Sequence, residues 1–360
     1  MSFILEYVWI GGAAVDFDVR SKSRVHKTQP MSIKEVPDWT YDASSTNQDV
    51  GQTLGSGTEA TLKPVKLYKD PLYKNHIIVL CECVIIGAGG ALGEVIYPVD
   101  SEIISGFNTR RFAVATASKI KSHDFWFGLE QEYVFTEIGK DNRELPVGFA
   151  EYNATEVETH RSYCGTIYPN AKLKNLSVEH LHICREAGIA ICGINSEVLL
   201  SQFEFQIGPV DLLTACDDLV VARFFLVRLA CDKGLRVSFA PKPVPGDHNG
   251  SGCHINVSTE AMRSTNGIKD ILVAINNLRG NHPNIFQYYG KGNEKRLTGK
   301  NETGSMGSFS YGVGTRNTSI RIPYQVNRDK AGYFEDRRPA ANIDPYVAVS
   351  KLALATLGLE

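Results

Sequence analysis

No run of about 20 apolar residues occurs in the 360-residue chain, so no segment is expected to span a membrane. An excess of one charge is also missing. The 38 Lys and Arg stand against 40 Asp and Glu, a formal net charge of -2, and no block of like charge occurs. Neither a nucleic-acid footprint nor a membrane-surface patch is therefore expected, and small or neutral partners are favoured. The eight cysteines (Cys81, Cys83, Cys164, Cys184, Cys192, Cys216, Cys231 and Cys253) follow no zinc-ligand spacing, and are expected to be reduced, buried thiols of a cytoplasmic protein. The "CEC" at 81–83, inside an apolar run, reads as two core thiols on one strand face. The opening "MSFILEYVWIGGAAV" lacks a basic leading region, carries Glu6 and shows no small-residue cleavage site, so no secretory leader is expected. There is no internal repeat and no low-complexity tract.

What is present is ordinary globular material: 43% hydrophobic residues, enough for a large core, on a length that suggests two domains. Residues 1–106 hold short β-like runs ("ILEYVWI", "DFDVRSKSR", "IIVLCECVII") broken by Gly, Pro, Asn and Asp clusters, which predicts a small, mostly β domain. Within it, "DASSTNQDVGQTLGSGTEATLKP" reads as a long exposed functional loop. Over 107–360 the periodicity predicts helices at 172–187, 211–233, about 267–280 and about 346–357, with Gly188 and Gly234 as stops for the first two. Strands are predicted at 126–135, 189–193, 202–208, 235–240, 252–258 and 317–322. The fold class is thus α+β, with a second and larger α/β domain.

Acids sit where apolar residues belong. In "WFGLEQEYVF", Glu130 and Glu132 share one strand face, with roots about 6.5–7 Å apart. Ionised, they repel, so either positively charged partners or divalent cations must stand beside them. Glu197 in "GINSEVLL" and Glu204 in "SQFEFQIGP" lie in similar company, although Glu204 alone could be a solvated group at a sheet edge. In "KPVPGDHNGSGCHINVS" a Pro- and Gly-rich turn feeds a strand on which His254, Asn256 and Ser258 share a face. Its glycines at 246, 250 and 252 permit close approach of backbone to a ligand, and His254 offers an imidazole nitrogen to a cation. Arg296, Arg316, Arg321, Arg337 and Arg338, the last two beside Glu335, crowd the C-terminal third, and guanidinium forks suit carboxylate and phosphate oxygens. Divalent cations with a phosphorylated substrate explain both charge signs together.

These motifs, with "RLTGKNETG", "RNTSIRIP" and "GYFEDRRPAANIDPY", occur in the order and at about the spacings of the glutamine synthetase family, and most resemble its type II, eukaryotic-like form. The resemblance runs from "YDASST" to the C-terminal helix. It implies a β-grasp N-terminal domain, a catalytic domain whose strands line a funnel, and rings of subunits, two stacked pentamers forming a homodecamer with active sites between neighbours. It implies ATP-dependent ligation of ammonium to glutamate, with Mg2+ or Mn2+ as cofactor and ATP as co-substrate. Carried onto this chain, Glu132, Glu197 and Glu204 would hold one cation and Glu130, His254 and Glu335 a second. Asn249, Gly250, His254, Arg296 and Arg337 would meet glutamate, Arg316 and Arg321 the ATP phosphates, and Glu302 would lie on a flap. Catalysis would involve Glu302, Glu59, Arg337 and Arg316. The chain departs from the family pattern at Ala43, where glycine is usual, at Glu59, where aspartate is usual, and around 154–163. Ligation of an organic amine, or a silent structural role, are the competing expectations.

Overall fold

The computed structural model describes residues 2–12, 18–48, 59–84, 108–139, 142–149, 162–166 and 170–359. The domain boundary expected near residue 106 lies outside these residues, as do 49–58 of the long loop and most of 154–163.

The N-terminal part is one five-stranded sheet in the order β2-β1-β5-β4-β3, formed by β1 (Phe3–Ile10), β2 (Val19–His26), β3 (Trp39–Asp42), β4 (Glu59–Lys69) and β5 (His76–Val84). Its central pair β1/β5 is parallel and its other pairs are antiparallel, as suits a β-grasp sheet. Alternation divides its side chains cleanly. Leu5, Tyr7, Trp9, Val79, Cys81 and Cys83 form one small core, whereas Val8, Tyr68, Ile78 and Leu80 join the core of the rest of the molecule. The two thiols of "CEC" are therefore core residues on one face, as expected. β4 corrects the expected loop, since "EATLKP" is strand. Its Pro64 sits where the β4/β5 register shifts, a place in a ladder that tolerates a missing N–H donor.

A larger, nine-stranded sheet follows, with the main path β12-β13-β14-β11-β6-β9-β8. Its strands are β6 (Trp126–Ile138), β7 (Glu144–Pro146), β8 (Ile191–Ser196), β9 (Gln202–Val210), β10 (Arg236–Ser238), β11 (Cys253–Ser258), β12 (Tyr311–Val313), β13 (Ile320–Ile322) and β14 (Phe334–Asp336), with β7 and β10 on the far end of β6. The principal helices are α1 (Thr109–Ile120), α2 (Asn170–Ala187), α3 (Leu212–Asp232), α4 (Ile268–Gly280) and α5 (Pro345–Thr356). The last four match the predicted helices to within about two residues. α1 is not among the predicted helices, although Asn108 caps it by accepting from the Arg111 N–H. α3 begins at Asp211, which accepts from Leu213 and Thr214, and stops before Gly234 at φ +72°. On β6, Phe127, Leu129, Tyr133 and Phe135 are buried in the main hydrophobic core, which includes Phe225 of α3, so Glu130 and Glu132 are left on the opposite face.

Ion pairs hold the small sheet to α3. Asp218 takes Lys66 Nζ at 2.8 Å and Tyr68 OH at 2.7 Å, while Arg228 reaches Asp70 Oδ2 at 2.6 Å and Glu6 Oε2 at 3.3 Å. Glu6, Asp70 and His76 lie close enough together to hold a cation. The Arg228 guanidinium supplies that positive charge, so the group acts as a structural network. Among the described residues no helix is long and apolar enough to cross a membrane. Cys164, Cys192 and Cys231 are exposed, contrary to the expectation of eight buried thiols, while the other five are buried and all eight are free thiols.

Candidate active site

Strand register assembles the site. His254 on β11 stands opposite Glu130 on β6, which stands opposite Gln206 on β9; farther along the same face, Glu132 faces Glu204. On the other side Asn256 faces Glu335 on β14, and Glu335 faces Arg321 on β13. Directly opposed residues have Cβ atoms about 4.5–5.5 Å apart, so five strands bring these groups onto one polar face.

Two sets of three have ligand atoms within 4.8 Å of one another: Glu130, His254 and Glu335, and Glu132, Glu204 and His254. The first is the set expected for one cation. The second contains two of the three acids expected for the other, with His254 between the two sets. Glu197 follows the end of β8 and stands outside both sets, its Oε1 accepting from Asn195 Nδ2 at 2.8 Å. It is nevertheless near them electrostatically. Burial, then the charge of Glu132, pushes its carboxyl up to about 8.

Glu132 is pushed up to about 7 by burial, against the pull of Arg296 and of the Gly252 N–H. Glu204 is also raised, by burial first and then by Glu130, Glu197 and Glu132. His254 is held well below the ordinary imidazole range by burial and next by Arg337. Its Nε2 lies 3.0 Å from Arg296 Nη2. Nδ1 lies 3.4 Å from Glu130 Oε2 and 3.5 Å from Glu335 Oε1. Buried carboxyls whose pKa values are raised chiefly by burial, with a buried Asn256 oxygen that has no hydrogen-bond partner among the described residues, make an oxygen-and-imidazole donor set suited to hard divalent cations.

The arginines divide between this face and the core. Arg337, buried, donates from Nη1 to Glu335 Oε1 at 2.6 Å and reaches the carbonyls of Arg316 at 3.1 Å and Glu302 at 3.3 Å. Arg321 pairs with the other Glu335 oxygen. Arg296 is buried against the Arg337 and Arg338 carbonyls. Arg338 is not part of the site, because both of its Asp336 contacts and its stacking on Tyr289 and Phe309 lie within the core. Arg316 is exposed and lies over the Tyr163 ring; burial would lower its pKa, but Glu302 and Tyr163 outweigh that and raise it.

The glycines of the turn also make room for neighbouring protein groups. A Cβ on Gly252 would collide with Arg296 Nη2, and one on Gly250 would stand 2.5 Å from the Pro241 carbonyl. Their small size makes room for protein groups beneath the turn. Asn249 and Gly250 are half-buried on its outer arm. Asn301 joins the turn to the segment carrying Glu302, through Asp247 Oδ1 at 3.1 Å and the His248 carbonyl at 3.2 Å. Glu302 is exposed and, like Asn301, has a positive φ.

Glu59 stands apart. It is the exposed first residue of β4, opposite Asp42 in the small sheet, and not a loop residue as expected. Ala43 has φ -70° and ψ -24°, right-handed helical angles that require no glycine, so this departure from the family carries no backbone cost. Gln202, Gln206, Asn195 and Asn256 are not among the expected site residues, yet each bonds a candidate acid or its partner. The alternation Gln202-Glu204-Gln206 along one strand is the signal that could have found two of them. Beside Glu130 and Asn256 opens a cavity of about 430 Å³ with Trp126, Leu129, Ile207 and Pro209 in its wall. Arg263 lies 3.9 Å above the Trp126 ring and is anchored by Asp124.

Residues 107–273 match the family model described as glutamine synthetase, catalytic domain. The chain is 41% identical to a glutamine synthetase of Saccharomyces cerevisiae over 99% of its own length and 89% of the relative's. It is 38% identical to a glutamine synthetase cytosolic isozyme of Pinus sylvestris, over 98% and 93% of the two chains. Such identity over nearly the full length, together with a curled sheet that carries the acids and arginines on one face, places the chain in the glutamine synthetase family, in its eukaryotic-type branch.

Proposed function

We propose that this chain is a glutamate–ammonia ligase: it phosphorylates the γ-carboxylate of L-glutamate with ATP and replaces the phosphate with ammonia, giving glutamine, ADP and phosphate. The observation that carries the reading is the single sheet face on which buried acids stand next to Arg296, Arg321 and Arg337. A carboxylate has no usable leaving group until it is phosphorylated, and bringing it to an anionic γ-phosphate requires positive charge on both. Glu132, Glu197 and Glu204 would hold one Mg2+ or Mn2+ and Glu130, His254 and Glu335 the other. The cations supply charge neutralisation at the phosphoryl oxygens.

The chain's own groups do the rest. Arg296 with Asn249 and Gly250 orients glutamate, and Arg337 stands at its reacting carboxylate. The Arg321 and Arg316 forks face the phosphates. The adenosine, which carries the largest apolar surface among the substrates, fits the cavity walled by Trp126 and Ile207. Glu302, across from Arg316, takes a proton from ammonium and covers the reacting centre against water. Glu59, on the small sheet, serves ammonium capture in a neighbouring subunit of a ring of the two-pentamer type, a head-to-tail arrangement that closes on itself. A cytosolic setting accords with the name of the pine relative.

The test is ADP release by the purified chain with glutamate and ammonium, against glutamate with methylamine, ethylamine and larger amines. Strong stimulation by ammonium alone, abolished by exhaustive chelation, is expected. Preference for an amine would make the chain an amine ligase, and activity undiminished by chelation would remove the two-cation assignment. Arg321→Lys gives a second check. The variant keeps a cation beside Glu335 but loses the planar fork, so kcat/KM for ATP should fall roughly 10- to 100-fold, the scale of one charge-assisted contact, with thermal stability little changed. A wild-type value of kcat/KM would place Arg321 away from the phosphates.

A further inference from the structure

We infer that Gln202 is a positioning residue that ties the Glu132 carboxylate to the glycine turn, so that cation binding and glutamate binding share one mechanical support. The inference rests on the cation and glutamate assignments proposed above.

Gln202 is the first residue of β9 and is 1% exposed. Its amide nitrogen lies 2.8 Å from the Gly250 carbonyl, 2.9 Å from Ser251 Oγ and 3.3 Å from Glu132 Oε2. Its amide oxygen accepts from the Leu199 N–H at 3.1 Å, and its backbone carbonyl accepts from the Glu197 N–H at 2.8 Å. One side chain therefore touches an acid of the cation cluster and the turn that carries Asn249 and Gly250, while its backbone holds the residue bearing the outlying Glu197.

The distribution of donors on Glu132 gives this contact its consequence. Oε2 receives both the Gly252 N–H at 2.7 Å and the Gln202 amide. Oε1 receives neither, and faces His254 Nε2 at 3.8 Å, toward the cluster. The carboxylate is thus fixed with one oxygen committed to the protein and the other presented to a cation. Outer hydrogen bonds of this kind orient metal ligands, and their loss typically weakens the metal about 10- to 100-fold. The same NH2 group has two hydrogens for three acceptors, so the hold on Glu132 and the hold on Gly250 are shared. A Gly250 carbonyl deprived of its donor has no reason to stay turned inward, and the turn that positions glutamate then loosens.

The test uses full-length, metal-stripped protein and Mn2+ as the probe, with binding counted by paramagnetic resonance in the absence of ATP and glutamate. Gln202→Met keeps length and volume but removes both the donor and the acceptor. The wild type should bind two Mn2+ per chain. In the variant one should weaken roughly 10- to 100-fold while the other is retained. At saturating Mn2+, KM for glutamate should rise at least severalfold while KM for ATP and kcat change little. Gln202→Glu, which retains the acceptor for Leu199 at an unaltered volume, serves if the methionine variant is insoluble; it too should raise KM for glutamate, because a carboxylate cannot donate to Gly250. Two Mn2+ bound by the wild type but neither weakened by Gln202→Met, or both weakened together with a drop in Tm, would overturn the inference alone. A rise in metal dissociation without any rise in glutamate KM would break the coupling. Fewer than two Mn2+ on the wild type would bring down the cation assignment, and the inference with it.

Discussion

Glu204→Gln should lower kcat roughly a thousandfold at saturating ATP, glutamate and ammonium, while the metal-free protein keeps or gains thermal stability. The two halves of this result have one cause. Glu204 lies opposite Glu132, and burial first, then Glu130, Glu197 and Glu132, raise the pKa of its carboxyl. A neutral amide of the same shape removes the cost of burying an ionisable group among these acids and still accepts from the Gln206 amide, which holds Glu204 Oε1 now. It also removes an anionic cation ligand. A bound cation contributes several kcal/mol to stabilising charge in a transition state, and about 4 kcal/mol corresponds to about a thousandfold in rate. Turnover within a few-fold of wild type would show that Glu204 is a structural acid. Loss of both turnover and metal-free stability would show that its carboxylate supports the sheet.

The second large effect is on stability against pH. Metal-free protein should lose stability as pH rises from about 6.5 to 8, and added Mg2+ or Mn2+ should stabilise it increasingly over the same interval. Glu132 and Glu197 have folded-state pKa values of about 7 and about 8, while unfolded glutamate titrates near about 4.3. Between those limits the folded chain binds more protons than the unfolded chain. Stability contributed by these groups is therefore fully present below about pH 4.3 and is lost as pH rises through about 7 and 8. His254, lowered by burial and Arg337, and His180, lowered to about 4 by burial, act with the opposite sign, but only below about pH 6.5, where unfolded imidazole gains its proton. His282 is also lowered, by burial and Arg338, so it too is neutral in both states above that point. From about 6.5 to about 7.5 the acids therefore set the slope; above that the thiols of Cys81, Cys83, Cys184, Cys216 and Cys253, raised by burial, add to it with the same sign as unfolded cysteine approaches its pKa of about 8.5. A cation reverses the slope because it favours the ionised ligands and displaces their protons. Thermal unfolding in chelator and in Mg2+, at several pH values, reads both slopes; a flat or rising metal-free curve would mean that these acids are ionised and paired in the folded chain.

Much of this site is legible in the sequence, and for a local reason. The period of two along "WFGLEQEYVF" puts Glu130 and Glu132 on one face, and the apolar residues between them fix which face meets the helices. The same argument holds for Glu204 and for His254 with Asn256. Helices α2 to α5 are legible because long apolar periods end at caps or glycines. Strand β4 is not, because Pro64 and its polar neighbours imitate a loop, and only pairing with both β3 and β5 gives the proline a bulge to occupy.

What the tertiary structure alone decided is register and partnership. Sequence could align side chains along a strand, but opposing Glu132 to Glu204, and Glu335 to Arg321, depends on which strands pair and at what offset, and a slip of one residue would turn every acid to the other face. The separation of Glu197 from the two close sets, the burial of Arg296 beneath Gly250 and Gly252, the assignment of Arg338 to the core, and the three-way hold of Gln202 all arise from contacts between distant segments. Chain chemistry thus determined which groups would be present and on which faces. Long-range packing determined which of them touch, because the energies that set strand offset are spread over the whole helix-covered core and not written in any one motif.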